Sequence, residues 1–292
     1  MKITELFDKG EFVISAEVGP PKGCHAEELI EEAKKYLQNV HAINITNNQS
    51  SVMRLSSLTV CKILKDAGFN PIFQMTCRDR NRLALQSDLL SAAALGIDNV
   101  LALTGDHTFI GDHPQAKPVF DLDSASLLHT MRTLEGGHDL AGLDLVGEPP
   151  KFAKGAVVSP CSDSVDAQLV KMERKIAAGA EFFQTQAVFD SEQFIKFMEK
   201  AKEFGKPVQL GIIIPKNVGM CRFMNNNVAG VSIPESIFDE LKADKEKTKA
   251  GITGVEIAAR IIRECKPYCQ GVHVMTLGWE DKIPSLMEQA GL

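Results

Sequence analysis

Glu17 and Asp106 each stand where an apolar run gives way to a loop. Glu17 ends Phe12-Val13-Ile14-Ser15-Ala16 and precedes Gly19-Pro20-Pro21, whereas Asp106 follows Asn99-Val100-Leu101-Ala102-Leu103 and Thr104-Gly105. A carboxylate at the point where a buried strand breaks into a loop is placed to face a ligand, and such positions shift pKa values toward acid–base work. The plainer alternative is that each caps the next helix or closes a turn. The other apolar runs end in Thr46-Asn47-Asn48-Gln49, Gln74-Met75-Thr76-Cys77-Arg78, Ser159-Pro160-Cys161, Gln184-Thr185-Gln186, Pro215-Lys216-Asn217 and Thr276-Leu277-Gly278-Trp279. These ends supply amides, hydroxyls and carboxylates, without the several histidines and acids of a metal hydrolase. A large heteroaromatic ligand suits such a rim. The seven cysteines (24, 61, 77, 161, 221, 265, 269) are scattered and form no Cys-x-x-Cys pair. They read as reduced core residues, with no metal expected.

The elements that must carry these ends are short β-branched runs alternating with helical patterns. Strands are expected at 12–18, 40–46, 71–77, 98–104, 154–159, 181–187, 208–214 and 270–276. Between them apolar residues recur at helical spacing, as in Leu29, Ile30, Ala33 and Leu37, or Val165, Leu169, Met172 and Ile176. Each stripe reads as a core face. Near-continuous apolar strands such as Val208-Gln209-Leu210-Gly211-Ile212-Ile213-Ile214 suit a parallel sheet covered by helices. Eight strand–helix units in 292 residues fit a single-domain α/β fold, the (β/α)₈ TIM barrel, over 1–292. The runner-up is an open doubly wound sheet, but no G-x-G-x-x-G follows any strand. In a barrel the active site sits at the C-terminal ends of the strands, which gathers the polar ends above at one mouth. Two longer connections are expected, a lid over 105–122 and a stretch over 224–256 that holds Asn225-Asn226-Asn227, a Ser232-Ile233-Pro234 helix start and the charged run Lys242 to Lys249, which reads as a solvated helix end.

Composition narrows the partners. The chain is 44% hydrophobic and 24% charged, with a net charge of −6. No basic stripe exists to neutralise phosphates, so nucleic acid is not an expected partner. No apolar stretch approaches the roughly 20 residues of a membrane span, and Met1-Lys2-Ile3-Thr4-Glu5-Leu6 lacks the apolar core of a signal peptide. The default expectation is a cytoplasmic protein.

Six segments, in order and in register over nearly the whole chain, resemble the methylenetetrahydrofolate reductase family. They are Ile14 through Lys22, Gln74 through Arg78, Asn99 through Asp106, Lys175 through Ala180, Gln184 through Asp190, and His273 through Leu277. The resemblance implies a barrel with a flavin across its C-terminal rim, usually FAD, with FMN left open. It further implies hydride transfer to 5,10-methylenetetrahydrofolate, giving 5-methyltetrahydrofolate. In the family the first-strand glutamate is the general acid, here Glu17. The five-membered bridge must open to an iminium, and N10 leaves poorly unless protonated. The strand-four aspartate corresponds to Asp106, between flavin and pterin, where an anion is expected to lower the flavin's reduction potential. Gln186 matches the glutamine that reads the pterin edge. Thr46, Gly105, Gln168, Arg174 and Lys175 match positions that hold the ribityl and phosphate groups, although Lys175 also reads as a solvated helix residue.

Departures from the family cluster around the flavin and the pyridine-nucleotide face. Gln74 stands where many members carry histidine, and Val218 where a phenylalanine covers the folate. Thr46-Asn47-Asn48 replaces an aromatic-and-glycine sequence, Ser159 through Asp163 replaces a Tyr/His-containing stretch, and Gly278-Trp279 replaces Asn-Arg. This set resembles the divergent branch of acetogenic and related anaerobes, in which an accessory iron–sulfur protein is the electron donor; an oligomer is also implied. Two other readings stay open on the sequence: a folate-dependent one-carbon or methyl transferase without redox chemistry, and a non-catalytic barrel that only docks onto a partner.

Overall fold

All eight apolar runs become strands, each within two residues of its expected bounds. The computed structural model describes residues 1–292. β1 (Val13–Val18), β2 (Ala42–Ile45), β3 (Pro71–Thr76), β4 (Asn99–Leu103), β5 (Ala153–Val158), β6 (Phe182–Ala187), β7 (Val208–Ile213) and β8 (Gly271–Met275) pair in chain order. All pairs are parallel, and β8 closes on β1 with Ser15 opposite His273. The fold is a single (β/α)₈ barrel.

Helix α1 (Ile3–Asp8) precedes the barrel, and α2 (Glu27–Tyr36), α3 (Ser57–Asp66), α4 (Arg82–Ala94), α5 (Ser124–Glu135), α6 (Val165–Ala178) and α7 (Ser191–Ala201) follow β1 to β6 in turn. Four helices follow β7: α8 (Val218–Asn227), α9 (Glu235–Ala243), α10 (Lys245–Lys249) and α11 (Ile252–Cys265); α12 (Ile283–Ala290) follows β8. The long connection over 224–256 is largely helical, and α9 begins directly after the expected Ser232-Ile233-Pro234 start. Asn225-Asn226-Asn227 reads as a breaker, but the Asn225 amide bonds both the N–H (2.8 Å) and the carbonyl (3.1 Å) of Ile233, closing a short turn between α8 and α9. No helix is long and apolar enough to cross a membrane.

Strand alternation sorts the barrel into layers. Ile14, Ile43, Phe73, Val100 and Phe183 face outward into the large core beneath the helices. The first inward layer is apolar: Val13, Ala42, Ile72, Leu101, Ala153 and Phe182 pack with Ile3 and Leu6 of α1, which plugs the N-terminal end. The Ile3 N–H donates to Asn99 Oδ1 at 2.7 Å, fixing the plug. The next inward layer is polar, comprising Ser15, Asn44, Gln184, Gln209 and His273, all buried. Above it the mouth opens.

All seven cysteines are free, and only Cys24 is exposed. Burial pushes the thiols of Cys77 and Cys161 up to about 12 and those of Cys221 and Cys269 up to about 11. Reactivity needs an accessible thiolate. A disulfide reagent at pH 8 is therefore expected to titrate one fast thiol in the native chain and seven after denaturation; three or more fast native thiols would contradict this packing.

Candidate active site

The mouth holds a cavity of about 340 Å³ lined mostly by polar residues, with contributions from the ends of β1 to β6 and β8. That volume lies within the range of small-molecule sites, roughly 300–1,000 Å³. Glu17, Thr46, Gln74, Gly105, Asp106 and Gln186 all line it. Six of the residues singled out from sequence thus converge from five strands.

Glu17 sits at the floor, 8% exposed. Gln74 Nε2 donates to its Oε2 at 2.8 Å, and Gln49 Nε2 approaches Oε1 at 3.3 Å. On its other side His273 Nε2 stands 3.6 Å from Oε2. The imidazole is held from the layer beneath. Gln209 Nε2 faces the carbonyls of Val13 (3.1 Å) and Val272 (3.2 Å), which fixes that amide, and Gln209 Oε1 then accepts from Gln184 Nε2 at 3.0 Å. Both Nε2 groups also approach Ser15 Oγ, at 3.2 and 3.3 Å. Ser15 Oγ in turn shares a hydrogen bond of 3.1 Å with His273 Nδ1. The opposite ring nitrogen, Nε2, is thereby turned toward the Glu17 carboxyl. Ser15 and His273 are site residues that the strand-end reading passed over. The signal was present: Ser15 is two residues before Glu17 on the same face, and β8 must pair with β1 in a closed barrel.

Gln186 is aimed by an irregularity. The β6–β7 register runs Gln184 with Gln209 and then Ala187 with Gly211, so β6 carries one extra residue. Such a bulge re-aims side chains beside sites. The Ala187 N–H donates to Gln186 Oε1 at 2.9 Å, leaving Nε2 as the free end of the amide. Asp106 lies exposed at the rim, after Gly105, whose φ of +92° favours glycine.

Thr46 Oγ1 is buried and has no hydrogen-bond partner in the chain. A buried orphan hydroxyl on a cavity wall is a place for a ligand's polar atom. Next to it, Asn48, Ser50 and Ser51 all take left-handed backbone conformations, φ +47°, +52° and +58°. Strain of this kind concentrates at ligand sites. The expected lid over 105–122 is latched to this segment: Asp112 accepts from the Met53 N–H at 3.0 Å and pairs with Lys22.

Four predicted residues lie elsewhere. Gln168 lines a second cleft of about 880 Å³, with Lys171, Asn225 and Ser232. Gly230, which also lines this cleft, packs close to Ser159 and to Gln186 of the first cavity. Arg174 is exposed and pairs with Asp123 at 3.6 Å. Lys175 turns inward instead, donating to the Val157 carbonyl at 2.6 Å, and burial pushes its ammonium down to about 8. Val218 opens α8, outside the cavity lining.

With this geometry in place, comparisons with known proteins are informative. The sequence profile of the family described as Methylenetetrahydrofolate reductase matches residues 2–291. Methylenetetrahydrofolate reductase 2 of Schizosaccharomyces pombe is 25% identical over 310 aligned positions, covering 100% of this chain and 48% of that protein. The probable NADPH-dependent methylenetetrahydrofolate reductase of Caenorhabditis elegans is 23% identical, with 44% of its length covered, so the chain spans about half of these two relatives. The 5,10-methylenetetrahydrofolate reductase of Escherichia coli is 24% identical, covering 87% of this chain and 82% of that protein. Among solved structures, an uncharacterized Clostridium thermocellum protein described as binding two copies of 5-methyl-5,6,7,8-tetrahydrofolic acid superimposes with a TM-score of 0.68 at 15% identity, covering 99% and 98% of the two chains. The family match over residues 2–291 places this chain in the methylenetetrahydrofolate reductase family.

Proposed function

We propose that the chain reduces 5,10-methylenetetrahydrofolate to 5-methyltetrahydrofolate, with a flavin held at the barrel mouth. One observation carries the reading: Glu17, buried at the cavity floor and backed by the Ser15–His273 pair, shares one cavity with Asp106 and Gln186. Glu17 delivers a proton to N10 as the one-carbon bridge opens. His273, with Nε2 turned toward the carboxyl, orients it. Gln186 offers its free Nε2 hydrogens to an acceptor on the pterin. Gln74 Nε2 holds Glu17 Oε2 at 2.8 Å while Gln49 Nε2 lies farther from Oε1, at 3.3 Å, so the proton for transfer is assigned to Oε1.

The residues present fit a flavin. Thr46 Oγ1 is an unpaired buried hydroxyl, and the Gly105 turn brings backbone close against Thr76 and Arg78, where a Cβ would lie 3.1 Å from Thr76 Cβ. Thr46, Gly105 and Asp106 would hold the ring and ribityl groups. The flavin, when bound, supplies the hydride that the opened one-carbon unit takes up. Gln168, in the adjoining cleft, would meet the nucleotide half that FAD has and FMN lacks. An accessory iron–sulfur donor and an oligomeric assembly belong to this reading through the family resemblance.

Purified chain is expected to be yellow, to release FAD or FMN on denaturation, and to form 5-methyltetrahydrofolate with reduced viologen as donor. Comparing NADH, NADPH and reduced viologen side by side identifies the electron source. Methyl-group transfer by a chain that takes up neither flavin would favour the transferase instead.

A further inference from the structure

The largest fully buried side chain is Arg78, 1% exposed, at the end of β3. Nothing in the chemistry above uses it. Its five N–H groups can be followed one by one. Nε donates to Asp79 Oδ1 at 2.8 Å, while Nη2 donates to Asp79 Oδ2 at 2.7 Å and to the Asn48 carbonyl at 3.2 Å. Nη1 meets only the Asp106 carbonyl, at 3.4 Å, a distance that gains little. One of its two hydrogens has no acceptor in the chain. Arg78 lines both the cavity that contains the orphan Thr46 Oγ1 and a smaller hollow, whereas Asp79 lines only the smaller hollow. The ion pair is thus a dipole with its cationic end toward the ligand space.

We propose that Arg78 holds an electron-rich edge of the bound flavin and, through its charge, raises the flavin's reduction potential, opposing Asp106. This rests on the flavin reading above. A guanidinium fixed in an enclosed site acts at low effective dielectric and needs no reorganisation as charge develops. It favours the form of the ligand that carries more negative charge. By linkage, the ratio of its effects on the affinities of reduced and oxidised flavin is the shift in potential. Arg78 also ties together the loops after β2, β3 and β4, and a clamp alone would leave that ratio untouched.

The test compares wild type with Arg78→Gln/Asp79→Asn and Arg78→Lys, each loaded with the flavin that the wild type carries. The double variant removes the charge without stranding the carboxylate and keeps a hydrogen-bonding amide toward Asn48. Its midpoint potential is expected to be more negative than wild type, with affinity for reduced flavin falling about tenfold more than for oxidised flavin. Arg78→Lys is expected to stay close to wild type, and Asp106→Asn to move the opposite way. Equal potentials in the double variant and wild type, with flavin retained, overturn the inference and leave Arg78 a loop clamp. A folded wild-type chain that takes up neither FAD nor FMN overturns the flavin reading, and this inference with it.

Discussion

Glu17→Gln is expected to abolish formation of 5-methyltetrahydrofolate while the chain still binds flavin and folate. General acid catalysis is worth about 10²–10⁴-fold, so turnover is expected to fall by that factor. The substitution is nearly isosteric. A glutamine carbonyl can accept from Gln74 Nε2 as Oε2 of Glu17 now does at 2.8 Å, so the cavity floor keeps its shape. What is lost is the proton for N10, which the neutral amide cannot give. The two halves of the cycle separate this cause from a general disruption. Bleaching of the flavin by a chemical reductant needs no proton on N10 and is expected to keep its rate; its reoxidation by methylenetetrahydrofolate is expected to stall. Stopped-flow absorbance in the flavin bands reads both. Normal reoxidation in Glu17→Gln would remove this residue from the acid role and turn attention to another proton source at the mouth.

The parts of this arrangement that depend on alternation and chain order were legible in the sequence. Strand ends could be read because buried parallel strands are near-continuous apolar runs, and their boundaries carry Gly, Pro or Asn. Once a barrel is inferred, Glu17, Asp106 and Gln186 must share a mouth. What escaped depends on tertiary placement. Arg78 follows Cys77 at a strand end, where an arginine ordinarily reaches water. Its burial requires Asp79 and the Asn48 carbonyl, and the latter comes from a different loop. Arg174 and Lys175 were both matched to phosphate-holding positions, yet consecutive helical residues point about 100° apart. The fold resolves the pair by exposing one on α6 and turning the other beneath β5. Over 224–256 the Ser232-Ile233-Pro234 helix start was legible, and the turn before it was not. A single asparagine side chain, Asn225, makes the turn that a run of breakers would otherwise need several residues to form.

The polar layer inside the barrel shows how Gln209 affects Glu17 from a distance. An apolar interior would pack as well and strand no amides, but it would not hold the His273 ring against Glu17. Gln209 is anchored by backbone carbonyls of β1 and β8, the two strands that close the barrel. Closure and the orientation of the imidazole are therefore coupled through one hydrogen-bonded series.

The bulge that aims Gln186 makes Gly211 a sensitive structural position. A Cβ on Gly211 would lie 2.1 Å from the Thr185 carbonyl oxygen and 2.9 Å from that of Gln186. Both obstacles are backbone, so no flexible side chain can yield. The Gly211 N–H also donates to Thr185 Oγ1 at 2.8 Å, and Thr185 Oγ1 in turn donates to the Gln186 carbonyl at 2.8 Å, tying β7 to the bulge itself. Gly211→Ala is therefore expected to push β6 and β7 apart at the point where the register shifts. Overpacking of this kind costs about 3 kcal/mol at the upper end of the usual range, which lowers Tm by roughly 6 °C or more. The same displacement moves the Gln186 amide, so the KM for folate is expected to rise about tenfold, the scale of one lost hydrogen bond. Gln186→Ala supplies the comparison: it is expected to raise KM similarly with Tm unchanged, because the amide is half-buried and makes only a local backbone contact. Calorimetry and steady-state kinetics on the two variants separate aiming from binding. Wild-type Tm and KM in Gly211→Ala would mean that β6 and β7 do not approach this closely, and the bulge would lose its part in placing Gln186.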